Sequence, residues 1–218
     1  MPPRALIFDL DGLLLDTEST DFAGWDFVFR ELGVDLPVDR WKAAIGSDTS
    51  HFDPLGHLRE QLGSIDEPDL QRRRRAHRDA LLAELDANPG VRALLDAARV
   101  RGLALAVASS SERVWVERHL AHLGLRERFR ALRCKEDVVR VKPDPALFRA
   151  AAGALGVAPA DCVAFEDSPN GVAAAVAAGM PCVAVPGPMT RGLDFSRATL
   201  ELDSLAGSDL DALFARLA

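Results

Sequence analysis

Four short apolar runs, each cut off abruptly by polar residues, constrain this chain more than any other feature of its sequence. They cover residues 5–10 before Asp11-Gly12, 103–108 before Ser109-Ser110-Ser111, 162–165 before Glu166-Asp167, and 182–185 before Pro186-Gly187. Near-continuous apolar strands of this kind suit a parallel sheet covered on both faces. Helix-like segments lie between them at 91–100, 112–123, 145–155 and 170–178, and Gly102, Gly124, Gly156 and Gly179 stand where such helices stop. Alternation of strand and helix predicts an α/β fold with a doubly wound parallel sheet.

Residues 16–87 break the rhythm. They hold no strand-like run, while Phe22, Trp25, Phe29 and Leu32 recur at helical spacing and a polar helix-like stretch follows at 68–85. This segment is expected to be a small α-helical domain inserted after the first strand, with Asn88-Pro89-Gly90 turning back into a core made of 1–15 and 88–218. A chain of 218 residues can build both.

Charge and cysteine usage exclude several function classes. Lys and Arg number 26 against 33 Asp and Glu, a net −7 that disfavours nucleic acid or a membrane surface as partner, since both reward basic patches. Cys134, Cys162 and Cys182 propose neither a disulfide framework nor a zinc site, so a reducing, cytoplasmic compartment is expected. No apolar stretch is long enough for a membrane span, and Asp9 and Asp11 interrupt the first run too early for a signal peptide, so the chain is expected to begin near Met1.

The residues at the strand ends carry the chemistry. Open α/β sheets bind ligands beyond the carboxyl ends of their strands. There the sequence delivers Asp9 and Asp11, Ser109, Glu166 and Asp167, with Lys142 in the loop-like Val141-Lys142-Pro143-Asp144-Pro145. Four converging carboxylates would repel unless a cation sat among them, and oxygen-only ligands beside a phosphate suit Mg²⁺. Asp9 could attack phosphorus, and Asp11, two residues on, could protonate the leaving oxygen and later activate water. Ser109 offers its hydroxyl to phosphate oxygens, and Lys142 supplies charge that holds nucleophile and phosphoryl group together. A calcium-loop reading fails because Leu13 and Thr20 fall where ligands are needed.

Four segments in order, Asp9-Leu10-Asp11-Gly12-Leu13-Leu14-Leu15-Asp16-Thr17-Glu18, Ala108-Ser109-Ser110, Val141-Lys142-Pro143-Asp144-Pro145 and Phe165-Glu166-Asp167-Ser168, resemble the motifs of the haloacid dehalogenase superfamily. The inserted segment is similar to the helical cap of its branch holding phosphoglycolate phosphatases and β-phosphoglucomutases. The resemblance implies Asp9 as nucleophile, Asp11 as acid/base, and Mg²⁺ held by Asp9, Asp167 and the Asp11 backbone carbonyl, with Glu166 either a direct ligand or the holder of a bound water. It implies a small phosphorylated metabolite as substrate, a monomer or weak homodimer, and Thr17, Gly46, Ser110 and Asn170 at the substrate end. From the residues alone, Ser110 and Ser111 are read as helix-capping hydroxyls in preference to catalytic groups, and Asn170 equally as a plain turn residue.

Hydrolase and mutase share the first half-reaction. Mutases of this family usually carry a His after the Asp-Thr pair, a basic residue after the motif-two Ser, and a cap-loop Arg; the corresponding positions here read as Asp21, Glu112 and Thr49, which favours water as acceptor. Dehalogenases of the superfamily lack the second Asp, which Asp11 supplies. A phosphonate hydrolase would need Lys42 as Schiff-base lysine, and a silent sugar-phosphate sensor would not need Asp11. Arg72-Arg73-Arg74-Arg75 is expected to be solvated cap surface, His51 polar decoration, and Trp25, Phe29 and Trp41 cap core.

Overall fold

The computed structural model describes residues 2–45 and 52–217. Six parallel strands, β1 (Ala5–Phe8), β2 (Ala104–Ala108), β3 (Ala131–Arg133), β4 (Cys162–Glu166), β5 (Cys182–Ala184) and β6 (Leu200–Glu201), form one sheet in the order β3-β2-β1-β4-β5-β6. Helices α1 (Thr17–Glu31), α2 (Val38–Ala44), α3 (Pro54–Leu62) and α4 (Glu67–Glu84) lie between β1 and β2, followed by α5 (Val91–Val100), α6 (Arg113–His122), α7 (Ala146–Leu155), α8 (Pro169–Ala177) and α9 (Leu210–Leu217).

The apolar runs are continuous because both faces of the sheet are covered. Successive side chains of a strand point to opposite faces. Leu6 and Phe8 therefore pack with Leu94 and Leu95 of α5, Val116 and Leu120 of α6 and Leu213 of α9. Ala5 and Ile7 pack with Leu147, Phe148 and Ala151 of α7 and Val172 and Ala175 of α8. Register sets Phe8 beside Val107 on one side and Phe165 on the other, and the two phenyl rings stack at 4.8 Å. The strand order turns at β1 and β4, so the crevice of the sheet opens at their carboxyl ends.

Two strands escaped the sequence reading. β3 is the three residues Ala-Leu-Arg and β6 only Leu-Glu, too short to show an apolar run, and both owe their strand character to a neighbouring strand already in place.

The inserted helices have a core of their own, built by Trp25, Val28, Phe29, Leu36, Leu58 and Leu70, with Trp41 packed against it. The arginine run is less solvated than its composition suggests. Arg73 pairs with Glu31, while Arg74 donates to Asp21 at 2.5 Å and lays its guanidinium 4.8 Å from the Trp25 ring centre. Thus α4 is fastened to α1 by charge as well as by apolar contact. Among the described residues no helix is long and apolar enough to cross a membrane.

The return crossing from the inserted helices is pinned by one side chain. Asn88 Nδ2 donates to the carbonyls of Gly12 and Leu13 at 2.8 and 2.9 Å, and the Asn88 amide donates to the Leu14 carbonyl. Replacing Asn88 with Ala removes two partly buried hydrogen bonds, each worth about 0.5–1.5 kcal/mol. At roughly 2–4 °C per kcal/mol for a chain of this size, the melting temperature should fall by several degrees in calorimetry; an unchanged midpoint would contradict this role.

Candidate active site

The acidic groups gather where β1 and β4 end. Asp9 follows β1 directly, its amide donating to the Phe165 carbonyl at 3.0 Å, so backbone pairing with β4 fixes where its side chain leaves the sheet. Asp167 follows β4 in the same way. Gly12 then lets the chain double back at φ +78°, and its missing side chain is required a second time: a Cβ there would stand 2.0 Å from Asp167 Oδ2.

Lys142 is the cation of this group, and its side chain is 6% exposed. Its ammonium donates to Asp9 Oδ1 and, at 2.6 Å, to Glu166 Oε1. Burial alone would lower the lysine pKa, but Asp9 and Glu166 outweigh it and keep the ammonium charged, with its pKa raised. Burial pushes the Asp9 carboxyl up despite Lys142, with Glu166 and Asp11 adding repulsion. Asp167 is likewise raised by burial and then by Asp9 and Glu166. One ammonium does not balance so many buried carboxylates.

Glu166 is turned away from the cavity. Its Oε1 is taken by Lys142, and its Oε2 accepts from the Asp167 amide at 3.2 Å and the Ser168 amide and hydroxyl at 3.4 and 3.2 Å. A Cβ on Gly171 would lie within 2.0 Å of this carboxylate, so the opening of α8 is cut to receive it. In this structure Glu166 anchors Lys142 and does not line the cavity.

Asp11 is held by four donors. Oδ1 accepts from Thr17 Oγ1 at 2.9 Å and from Trp115 Nε1 at 2.8 Å; Oδ2 accepts from Ser109 Oγ at 3.2 Å and Ser111 Oγ at 2.6 Å. The serines depart from expectation. Ser111 does not cap α6, whose preceding residue Glu112 makes no side-chain cap bond, and spends its hydroxyl on Asp11. Ser109 is fully buried beneath Asp11, whereas Ser110 and Ser111 open onto the cavity.

That cavity has a volume of about 680 Å³ and lies between the sheet edge and the inserted helices. Asp9, Asp11, Asp167, Lys142 and Asn170 line its floor, and Thr17, Glu18, Asp21, Ile45, Arg78 and Trp115 its upper wall. Burial, then Asp11, Asp21 and Asp16, push the Glu18 carboxyl up to about 8, so it carries a proton at neutral pH. Sequence reasoning passed over Glu18, Arg78 and Trp115 as site residues. Trp115 and Arg78 stand in no motif, and Ser111 lies ahead of α6, so helical spacing gave no signal for them. Gly46, Thr49 and His51 lie outside the described residues. Glu112 is exposed, pairs with Lys135 at 3.5 Å and does not reach the cavity, and Lys42 does not line it either.

Among the described residues no three His, Cys, Asp or Glu side chains form a ready-made metal cage. The donor set nevertheless fits a hard cation. Asp9 and Asp167 face the cavity with oxygen donors only, the space at Gly12 is kept free for Asp167, and Lys142 is the only lysine or arginine paired to this acidic group among the described residues.

Residues 3–179 match the family model of haloacid dehalogenase-like hydrolases. The chain is 42% identical over 98% of its length, and 97% of the relative's, to a Bacillus subtilis protein named a candidate phosphatase, YhcW. It is 34% identical to the fructose-1-phosphate phosphatase YqaB of Escherichia coli over 83% of this chain and 95% of that one. A solved structure of a hydrolase from Deinococcus radiodurans, with bound phosphate and sodium, is 31% identical and superposes with a TM-score of 0.77, covering 100% of this chain and 96% of the other.

Glu166→Gln tests the anchoring geometry. Removing the charge opposite Asp9 should let the ammonium settle on Asp9 alone and blunt it, lowering kcat by about ten- to a hundredfold with secondary structure unchanged by circular dichroism. Parental kcat would show that Lys142 needs no second carboxylate.

Proposed function

Because the chain belongs to the haloacid dehalogenase-like hydrolases, we propose that its phosphatase activity is directed at the monophosphate of a small polyol or sugar and runs through a phosphoryl group carried on Asp9. The observation that carries this reading is the Lys142 ammonium shared between Asp9 and Glu166 at the floor of the cavity, with Asp11 two residues from Asp9. Asp9 attacks phosphorus with its free oxygen while Lys142 attracts the phosphoryl oxygens. Asp11 gives a proton to the leaving alcohol and, when the alcohol has gone, takes one from the water that attacks the phosphoryl group, which breaks its bond to Asp9 and leaves as inorganic phosphate while Asp9 returns to a carboxylate. Asp9, Asp167 and the backbone carbonyl of Asp11 would hold Mg²⁺, which supplies the positive charge that the carboxylates and the phosphoryl oxygens lack.

The cavity wall supports the substrate class. Glu18, protonated at neutral pH, and Asp21 offer a donor and acceptors to hydroxyl groups, and Trp115 offers an apolar edge. The fructose-1-phosphate phosphatase among the relatives acts on a substrate of this class, as its name states.

Water is favoured over a sugar hydroxyl as acceptor. Asp21 lines the cavity and holds Arg74 at 2.5 Å and Arg78 at 3.7 Å, so the cationic groups of this wall are already committed to carboxylates. Among the described residues of this wall, a second phosphate would meet no positive charge that is not already paired. The expectation from Asp21 stands on this pairing, and Glu112 contributes nothing because it lies outside the cavity.

A screen of phosphorylated metabolites tests the reading. Inorganic phosphate should be released from sugar monophosphates with Mg²⁺, be abolished by excess EDTA, and fall when Ca²⁺, with its larger and looser shell, replaces Mg²⁺. Given β-glucose 1-phosphate with a trace of the 1,6-bisphosphate, the products should be glucose and phosphate. Full turnover in EDTA, or stoichiometric glucose 6-phosphate without phosphate release, would contradict it.

A further inference from the structure

The four donors around Asp11 are unlike one another. Thr17, Ser109 and Ser111 present hydroxyls, which rotate freely and also accept. Trp115 presents an indole N–H, which only donates and points where the ring points. The ring is fixed from both of the chain's parts. Arg78 of α4 places its guanidinium carbon 5.0 Å from the ring centre, and Arg118 of α6 places its own at 5.1 Å. His119, buried on the same helix, meets the indole edge on at 4.2 Å. Arg78 is itself held, donating from Nε and Nη2 to Asp79 Oδ1 at 3.0 and 2.8 Å and lying 3.7 Å from Asp21.

An unbroken line of contacts therefore runs from the inserted helices to the acid/base: Asp79 and Asp21 to Arg78, Arg78 to the Trp115 ring, and the indole N–H to Asp11 Oδ1. We propose that Trp115 is a positioning residue that aims the Asp11 carboxyl, and that Arg78 ties this aim to the seating of α4 on α6. The inference rests on the reading of Asp11 as proton donor to the leaving alcohol. Of the two guanidinium groups on the ring, only Arg78 belongs to the inserted helices, so it joins Thr17, which donates to Asp11 directly from the start of α1, in making proton transfer at Asp11 sensitive to how those helices sit over the site.

The test separates aiming from support. Trp115→Phe keeps an aromatic ring for both guanidinium groups and deletes the indole N–H together with part of the ring's bulk, and the comparison of leaving groups separates the two losses. The first-turnover rate of alcohol release from a sugar monophosphate should fall about ten- to a hundredfold, the range for losing a hydrogen bond to a charged group. KM should change by less than about twofold, since the loss lies in the transition state. With p-nitrophenyl phosphate, whose leaving phenolate needs no proton, the first-turnover deficit should nearly vanish. Arg78→Gln should show the same dependence on leaving group with a smaller deficit, and thermal melting checks that both variants are folded. Equal deficits on the two substrates, or parental rates on both, in the presence of a crippled Asp11→Asn control would overturn the proposal. An Asp11→Asn variant as active as the parent would overturn the acid/base reading itself, and this inference with it.

Discussion

Everything at the sheet edge is arranged around one buried ammonium. Lys142 sits between Asp9 and Glu166, and each of its partners is placed by a different strand: Asp9 by β1, Glu166 by the last residue of β4. Those strands are neighbours in register, so the spacing of the two carboxylates is set by backbone pairing. A lone buried charge would be costly, and a buried charge flanked by carboxylates is held. The same geometry keeps Asp9 buried and close to other carboxylates, a condition in which the added positive charge of a cation is welcome.

The inserted helices complete this floor with a wall of mixed character. Their arginines are spent on internal pairs: Arg73 on Glu31, Arg74 on Asp21 and Trp25, Arg78 on Asp79 and Trp115. What these helices turn to the cavity is a protonatable Glu18, Thr17, Asp21, Ile45 and the paired Arg78, beside the aromatic edge of Trp115 from α6. On the proposed reading such a wall suits hydroxyl groups better than a second anion, and the core would handle the phosphoryl group while the inserted segment takes the remainder of the substrate.

Much of this was legible in the sequence because strand ends are punctuated by chemistry. Asp9, Asp11 and Asp167 could be read from apolar runs that stop at acidic residues, and 91–100 emerges as α5 with the same bounds. Lys142 was legible through the loop-like Pro143-Asp144-Pro145 that follows it. Less visible were contacts made across long sequence separations. Glu166 faces Lys142 because Gly171 leaves room behind it, a relation that needs the α8 backbone in place. Ser111 looked like a helix cap because it precedes α6, but Asp11, a hundred residues away, competes for its hydroxyl and wins at 2.6 Å. Trp115 and Arg78 carry no motif at all, and only the packing of α4 over α6 brings them together. β3 and β6 were hidden for a related reason, since their two or three residues are strands only beside β2 and β5.

The central claim is that Asp9 takes the phosphoryl group onto its own carboxylate before water does. Acid quenching of the Asp11→Asn variant during reaction with an activated aryl phosphate, followed by peptide mass spectrometry, tests this directly, because that variant keeps the nucleophile and lacks the base that would clear the intermediate. The account predicts a phosphoryl group on the peptide that contains Asp9, labile to hydroxylamine and lost when Asp9 is also changed to Asn. Phosphate release with no phosphorylated peptide at any quench time, or a phosphoryl group on another residue, would contradict it.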